Sequence, residues 1–270
     1  ALGRPIQGTR KTVSALSRRQ LLTFFRAAYR PENILIVAAG NLEHGAMARL
    51  VRRHFADLEP GAGADGRAAS PRARGGLVVR PKKELAQLHL LMGLPAFARG
   101  VRQRYPLYVL NTLLGGTMSS RLFQKIREEQ GLAYSVYSGV NAFVDTGFLA
   151  VYVATSPASG AKAVRLVLDE LRDLRDRGPR PEEIAMAREH LKGSLMLALE
   201  STSARMSNLA RQEIYLGRQF SLEQTLKGVQ AVGVRQVHRM AHDLFDGRRL
   251  SLAAVGRVGQ LKLHERELQL

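Results

Sequence analysis

The chain of 270 residues has no cysteine, and aromatic residues make up only 6% of it. Without cysteine there are no disulfides and no thiolate metal sites, and the redox compartment stays open. No apolar run approaches the ~20 residues that a membrane-spanning helix needs. The opening ALGRPIQGTR lacks a long apolar core, so it does not read as a secretory signal. Lysine is scarce as well: of the 41 basic residues eight are lysine, which leaves 33 arginines in almost every segment and a net charge of +18. A polyanion-binding surface concentrates its charge on one face or arm. Here the densest run, Arg67 to Arg80, falls in a stretch that reads as a linker. The arginine excess is therefore read as compositional bias first, attraction for acidic partners second and nucleic-acid binding last.

What is present is an ordinary apolar content, 45%, in a chain long enough for one or two cored domains. Residues 1–16 look polar and irregular. From Ser17 a helical pattern places Leu21, Leu22, Phe24, Phe25 and Ala28 on one face, and Arg30-Pro31-Glu32-Asn33 stops it. Ile34–Ala39 reads as a buried strand closed by Gly40-Asn41. A helix from about Glu43 to Phe55 follows, with Met47, Leu50, Val51 and Phe55 inward. Pro60 to Gly76, rich in Gly, Ala, Pro and Arg, reads as the linker.

Beyond it the pattern gives strands at Leu77–Pro81 and Leu88–Leu94, and a helix from Val101 to Leu114. A hairpin is expected to turn at Val144-Asp145-Thr146-Gly147 into a strand Phe148–Ala154. An amphipathic helix carries Val164, Val167, Leu168, Leu171 and Leu174. Pro181 starts another that runs to about Glu200. Helices over Ala204–Leu216, after a Ser221–Gln224 capping box and over Arg235–Phe245 precede a strand Leu250–Val255.

Residues 16–42 align without gaps on 232–258, at an offset of 216. Arg19 and Gln20 match Arg235 and Gln236, Tyr29 matches Phe245, and Gly40 matches Gly256. A helix, a turn and a strand fall in register, as a duplicated fold would give. The second copy has about 155 residues before its helix and the first only 16, so the first copy is expected to lack most of its N-terminal part.

The chemistry centres on Ser119 to Ser138, read as a short helix capped by the serines, a glycine stop at Gly131 and a strand. Leu132, Tyr134, Val136 and Ser138 are expected on one strand face. Arg127 and Tyr134, seven apart across the bend, could share one surface. On spacing alone the plainer alternative, a solvated helix charge and a half-buried strand aromatic, is preferred. Other features read as structural. His238 and His242 have zinc-ligand spacing, but Arg239 stands where an H-E-x-x-H peptidase needs its glutamate, so packing or surface histidines are preferred. Gly115-Gly116 reads as a tight turn rather than a phosphate cradle, Ser201-Thr202-Ser203 as a helix cap, and Glu182-Glu183 as a helix start favoured by the dipole.

The segment GGTMSSRLFQKIREEQGLAYSVYSGVNAFVDTGFLAVYVATSP, residues 115–157, resembles the M16 zinc metallopeptidases, the group of mitochondrial processing peptidase and insulin-degrading enzyme. LGRPIQGT at 2–9, YRPENILIVAAGNL at 29–42 and ESTSARMSNLARQEIYLGR at 200–218 resemble the same family. The resemblance implies an α+β architecture of the processing-peptidase and LuxS metallohydrolase type, with duplicated α/β sandwich domains of mixed sheet and packed helices. Residues 1–58 would be the end of a first domain, 59–76 a linker and 77–270 a complete second domain. The family's inverted H-x-x-E-H zinc motif occurs nowhere in the chain, so zinc is expected in the full-length enzyme and none on this chain. In active members the second domain lends an arginine and a tyrosine, seven apart, to catalysis and substrate binding; the matching positions are Arg127 and Tyr134. The resemblance thus implies a peptide substrate held in a closed two-domain cavity, and a partner that is either the missing N-terminal half or a catalytic subunit. It implies no nucleic-acid or membrane partner, a possible dimer, and a bacterial cytoplasmic or periplasmic location. A non-catalytic subunit of a heteromeric peptidase is the rival reading.

Overall fold

The computed structural model of the chain describes residues 4–61, 73–99, 103–261 and 263–270. Leu2 and Gly3, most of the expected linker (62–72) and the start of the helix expected from Val101 lie outside the described residues. The chain divides into two units, one of residues 4–61 with 200–211, the other lying within 73–199 and 212–270. No helix among the described residues is long and apolar enough to cross a membrane.

In the first unit, residues expected to be irregular hold a one-turn helix, α1 (Arg10–Ser14). Thr9 and Thr12 make it: the Thr12 N–H donates to Thr9 Oγ1 at 3.2 Å, and the Thr9 N–H to Thr12 Oγ1 at 2.8 Å. Helix α2 (Arg18–Ala28) begins with the same reciprocal cap between Ser17 and Gln20. After a 3₁₀ turn at Pro31–Asn33, α3 (His44–Phe55) starts at Glu43, whose carboxylate accepts from the Gly45 and Ala46 N–H groups. The expected strand Ile34–Ala39 does not form. Ile34 is extended (φ −112°, ψ 120°), but no strand lies beside this run among the described residues, and a ladder needs a neighbour. The inward face expected of α3 is open too, with Leu50 and Phe55 exposed. None of the described residues 4–61 is buried.

The second unit is built on one mixed sheet. Its strands are β1 (Gly76–Pro81), β2 (Leu88–Ala96), β3 (Ala133–Ala142), β4 (Gly147–Thr155) and β5 (Ser251–Gly256), in the order β1-β5-β2-β4-β3. β1 and β5 run parallel; the other pairs are antiparallel. Leu88, Leu90, Met92 and Leu94 alternate onto one face of β2 and meet Val153, Val151 and Leu149 of β4 across the ladder, all of them buried. Helices α4 (Arg104–Asn111), α5 (Gly160–Asp176), α6 (Pro181–Ala198), α8 (Leu222–Gln230) and α9 (Val234–Leu244), and α7 (Thr202–Leu216), whose residues 202–211 belong to the first unit, follow the expected pattern within a few residues. The exception is the end of α4, which widens into a π-helical turn over Thr112–Gly116 instead of continuing regularly. The five expected apolar positions of α5 are buried, and Leu107 and Leu110 of α4 with Val237, Ala241 and Leu244 of α9 complete the core. The opposite sheet face stays open: Leu91, Tyr152 and Tyr137 pair across three strands there, and Tyr137 is exposed.

The repeat at offset 216 is present in the backbone. Helix α2 and its 3₁₀ turn at Pro31–Asn33 correspond residue for residue to α9 and the 3₁₀ turn Gly247–Arg249. Tyr29 and Phe245 end the helices with matching angles (φ −89°, ψ 73° and φ −85°, ψ 60°). Gly40 and Gly256 both have left-handed φ, 147° and 135°. Surroundings differ. Val237, Met240 and Ala241 are buried, while their counterparts Leu21, Phe24 and Phe25 are more than half exposed.

Candidate functional site

The stretch from Ser119 does form a short helix, a glycine stop and a strand, but two local details differ from expectation. Ser120 does not cap the helix. Its buried hydroxyl donates back to the Thr117 carbonyl, and residues Phe123–Glu129 wind as a π-helix. At the far end Gly131 takes φ +59°, and the Leu132 N–H reaches back to the Ile126 carbonyl at 2.9 Å. Thr155 of β4 fixes the exit by donating its hydroxyl to the Leu132 carbonyl at 2.6 Å.

The second difference concerns Tyr134. The β3–β4 register slips between Ala133, opposite Thr155, and Ser135, opposite Ala154, so Tyr134 is an extra, bulged residue. Strict alternation would have put Tyr134 on the face of Val136 and Ser138, which is the core face. The bulge breaks that parity. Ala133, Val136 and Ser138 are buried, and Tyr134 is instead 75% exposed, neither sharing their face nor half-buried.

The Arg127 guanidinium lies 4.6 Å from the Tyr134 ring centroid and 4.8 Å from that of Phe123. Its Nη1 donates to the Tyr134 carbonyl at 2.8 Å, and its Nε faces Glu128 at 3.7 Å. The two residues singled out by spacing are therefore in contact. The phenol hydroxyl makes no hydrogen bond among the described residues. A fixed guanidinium beside a free phenol O–H offers two hydrogen-bond donors to one incoming oxygen.

Arg121, at the start of the same helix, holds this assembly to the fold; sequence reasoning passed over it. Its side chain is 13% exposed. It donates to Glu183 of α6 at 2.6 and 2.8 Å and to Asp173 of α5 at 2.7 Å, with Glu170 at 3.7 Å. Burial alone would raise the Glu183 carboxyl, but the Arg121 hydrogen bonds and charge, with the Arg180 N–H, hold it below the usual range. For Glu170 burial dominates and pushes the carboxyl up, against the pull of Arg121. The partners lie 49 to 62 residues away in sequence, so no local spacing marks the cluster.

The remaining candidates resolve as structural parts. His238 Nε2 donates to the Arg175 carbonyl at 3.0 Å with its ring against Gly178, and His242 is exposed beside Asp243. Among the described residues no group of three His, Asp or Glu could hold a metal. With His238 spent on a carbonyl and Arg239 between the two histidines, the residues present do not fit a zinc site. Gly115 sits where a Cβ would lie 2.6 Å from the Ser138 backbone nitrogen, so the paired glycines serve close packing. Ser201 caps α7 through the Ala204 N–H, and Glu183 caps α6 through the Arg180 N–H.

Comparison with known proteins agrees with this architecture. Residues 15–191 match the family model described as "Peptidase M16 inactive domain". A protein of Mycobacterium leprae named as an uncharacterized zinc protease is 37% identical over 272 residues, covering 100% of this chain and 61% of that one. The chain spans about six-tenths of the length of the curated relatives it matches. Among solved structures, a chain of complex III2 from Candida albicans superposes with a TM-score of 0.88 at 19% identity, covering 99% of this chain and 65% of that one. An M16 inactive domain from Pseudomonas fluorescens gives 0.82 at 23% identity, covering 93% and 60%. These two likenesses concern the fold. With its mixed sheet and a family match over residues 15–191, the chain belongs to the M16 peptidase family, in the part described as its inactive domain.

Proposed function

We propose that this chain supplies the metal-free wall of a two-part peptidase site, with Arg127 and Tyr134 as hydrogen-bond donors to a peptide substrate. The observation that carries this is the bulge at Tyr134, which turns an aromatic away from the core and sets it, exposed, under a fixed guanidinium. Both donors can meet a peptide carbonyl, and both gain strength as charge develops on its oxygen. β3, which carries Tyr134, is the edge strand of its sheet, and a peptide can lie along such an edge in extended form.

On this reading residues 1–58 close a first domain, 59–76 link it to a second, and 77–270 are that second domain. The open face of α2 supports it, because the equivalent face of α9 is buried against α4 and α5. The relatives' length and their name as zinc proteases are consistent with an upstream portion or partner that carries the metal ligands. No carboxylate–histidine set suited to that task exists among the described residues here.

The test is Tyr134→Phe in the full-length protein. The expected result is a kcat lowered by about 100-fold, the usual loss for one oxyanion donor, with zinc content unchanged. Wild-type turnover in that variant refutes the role given to Tyr134.

A further inference from the structure

We propose a second site, a carboxylate-binding clamp made by Arg104 and Arg218 on Phe220 and by Arg99 on Tyr215, that takes an acidic group of an extended peptide. The guanidinium carbons of Arg104 and Arg218 lie 4.6 and 4.3 Å from the centroid of the Phe220 ring. Two like charges are thus held no more than about 9 Å apart around one ring, and each repels the other until an anion neutralises it. Arg104 also donates Nη2 to Tyr105 Oη at 2.8 Å, and Arg99 lies 4.3 Å over Tyr215, three residues before Arg218. None of the three arginines has a carboxylate partner among the described residues, whereas Arg121, Arg172, Arg175 and Arg248 each do.

Position makes the deficit sharper. Arg104 is the first residue of α4, whose first turn contains no acidic residue. A cation there opposes the helix dipole, which favours negative charge at that end. The Tyr105 ring under Arg104 is itself fixed. A Cβ on Gly228 would come within 2.6 Å of the Tyr105 ring, so that ring is seated on α8. Gly217, at φ +63°, ends α7 and turns the chain toward Arg218 and Phe220. Stacked, preoriented guanidiniums suit planar carboxylates.

That the ligand is a peptide rests on the function proposed above. Arg99 Nε donates to the carbonyl of Ala142, the last residue of β3, while Tyr134 stands near the first. At ~3.3 Å per residue the two ends are about 26 Å apart, so a peptide extended along β3 from Tyr134 brings its eighth residue or so to Arg99. The inference is a preference for an acidic residue, or a free C-terminal carboxylate, about eight positions from the group that Arg127 and Tyr134 hold.

The experiment is fluorescence anisotropy of this chain with three labelled decapeptides of one sequence: two terminal glutamates with an amidated end, two glutamines with a free carboxylate, and two glutamines amidated. At least one acidic peptide is expected to bind about tenfold or more tighter than the neutral one, as charge-assisted hydrogen bonds require. Which acidic peptide does so identifies the source of the carboxylate. The Arg104→Gln/Arg218→Gln double variant is expected to abolish the preference with the thermal midpoint unchanged. Equal affinity for all three peptides, no binding of the acidic ones, or a preference that survives in the double variant overturns the clamp. Arg127→Gln separates the two readings. It should weaken every peptide alike; if it changes nothing while the acid preference persists, the clamp stands and the role given to Arg127 fails.

Discussion

Arg121 carries a charge that its surroundings tolerate only because carboxylates from two helices meet it. Arg121→Met keeps the stem but strands Glu183, whose side chain is 12% exposed, and should cost about 3 kcal/mol in urea unfolding. The effect should depend on pH with a definite sign. Glu183 is held low in the fold, so its contribution is present above its unfolded pKa and lost as pH falls through the folded one. Glu170 is raised, so its contribution is present below its unfolded pKa and lost as pH rises through the folded one. Removing Arg121 lets both carboxyls rise, and the gap between wild type and variant should narrow from pH ~7 to ~3. A gap that is constant or widens toward acid would show that Arg121 acts by packing alone. At this scale the contact between Arg127 and Tyr134 was legible, because seven residues around one glycine turn bring two side chains to the same end of β3. The bulge was not. It is decided by the register against β4, and no pattern within residues 132–138 reports that register.

Elements were most legible where a single local rule decides them. The box Ser221–Gln224 caps α8 as expected, with the Gln224 N–H donating to Ser221 Oγ at 3.1 Å, and the apolar stripe of α5 is wholly buried. Strand Ile34–Ala39 failed because a strand is a property of two segments, and its composition speaks for only one of them. The π-helical turns escaped notice for a related reason: Thr112–Gly116 widens where β3 crowds it, with Ser138 donating its hydroxyl to the Asn111 carbonyl at 3.1 Å. Two glycines separate the effects of conformation and space. Gly131→Ala meets no atom within 4 Å and has only the left-handed φ to bear, which costs about 1 kcal/mol. Gly115→Ala has no such φ, but its methyl would sit 2.6 Å from a backbone nitrogen of β3, an overpacking that costs about 1–3 kcal/mol. Urea midpoints should therefore fall further for Gly115→Ala. The reverse order would mean that the turn moves off β3 at little cost.

Across the whole molecule the two units differ in the one property that sets local stability, burial of apolar side chains. The second unit closes a core over a five-stranded sheet. The first holds α2 with Leu21, Phe24 and Phe25 more than half exposed, although the repeat gives it the same glutamine cap, turn and terminal glycine as α9. Local sequence therefore suffices for the backbone of this unit, while none of the described residues 4–61 is buried. A capped helix of 11 residues with no buried face is marginal in water, since isolated helices shorter than ~12–15 residues seldom hold. Hydrogen exchange on this chain should accordingly show amides of α2 and α3 opening with little protection, while those of β2, β4 and α5 exchange only on global unfolding. Sequence identity between the repeats cannot produce that contrast; only cover can. Protection of α2 equal to that of α9 would mean that residues 4–61 bury their apolar face without an upstream portion, and the first-domain reading of this segment would fall with it.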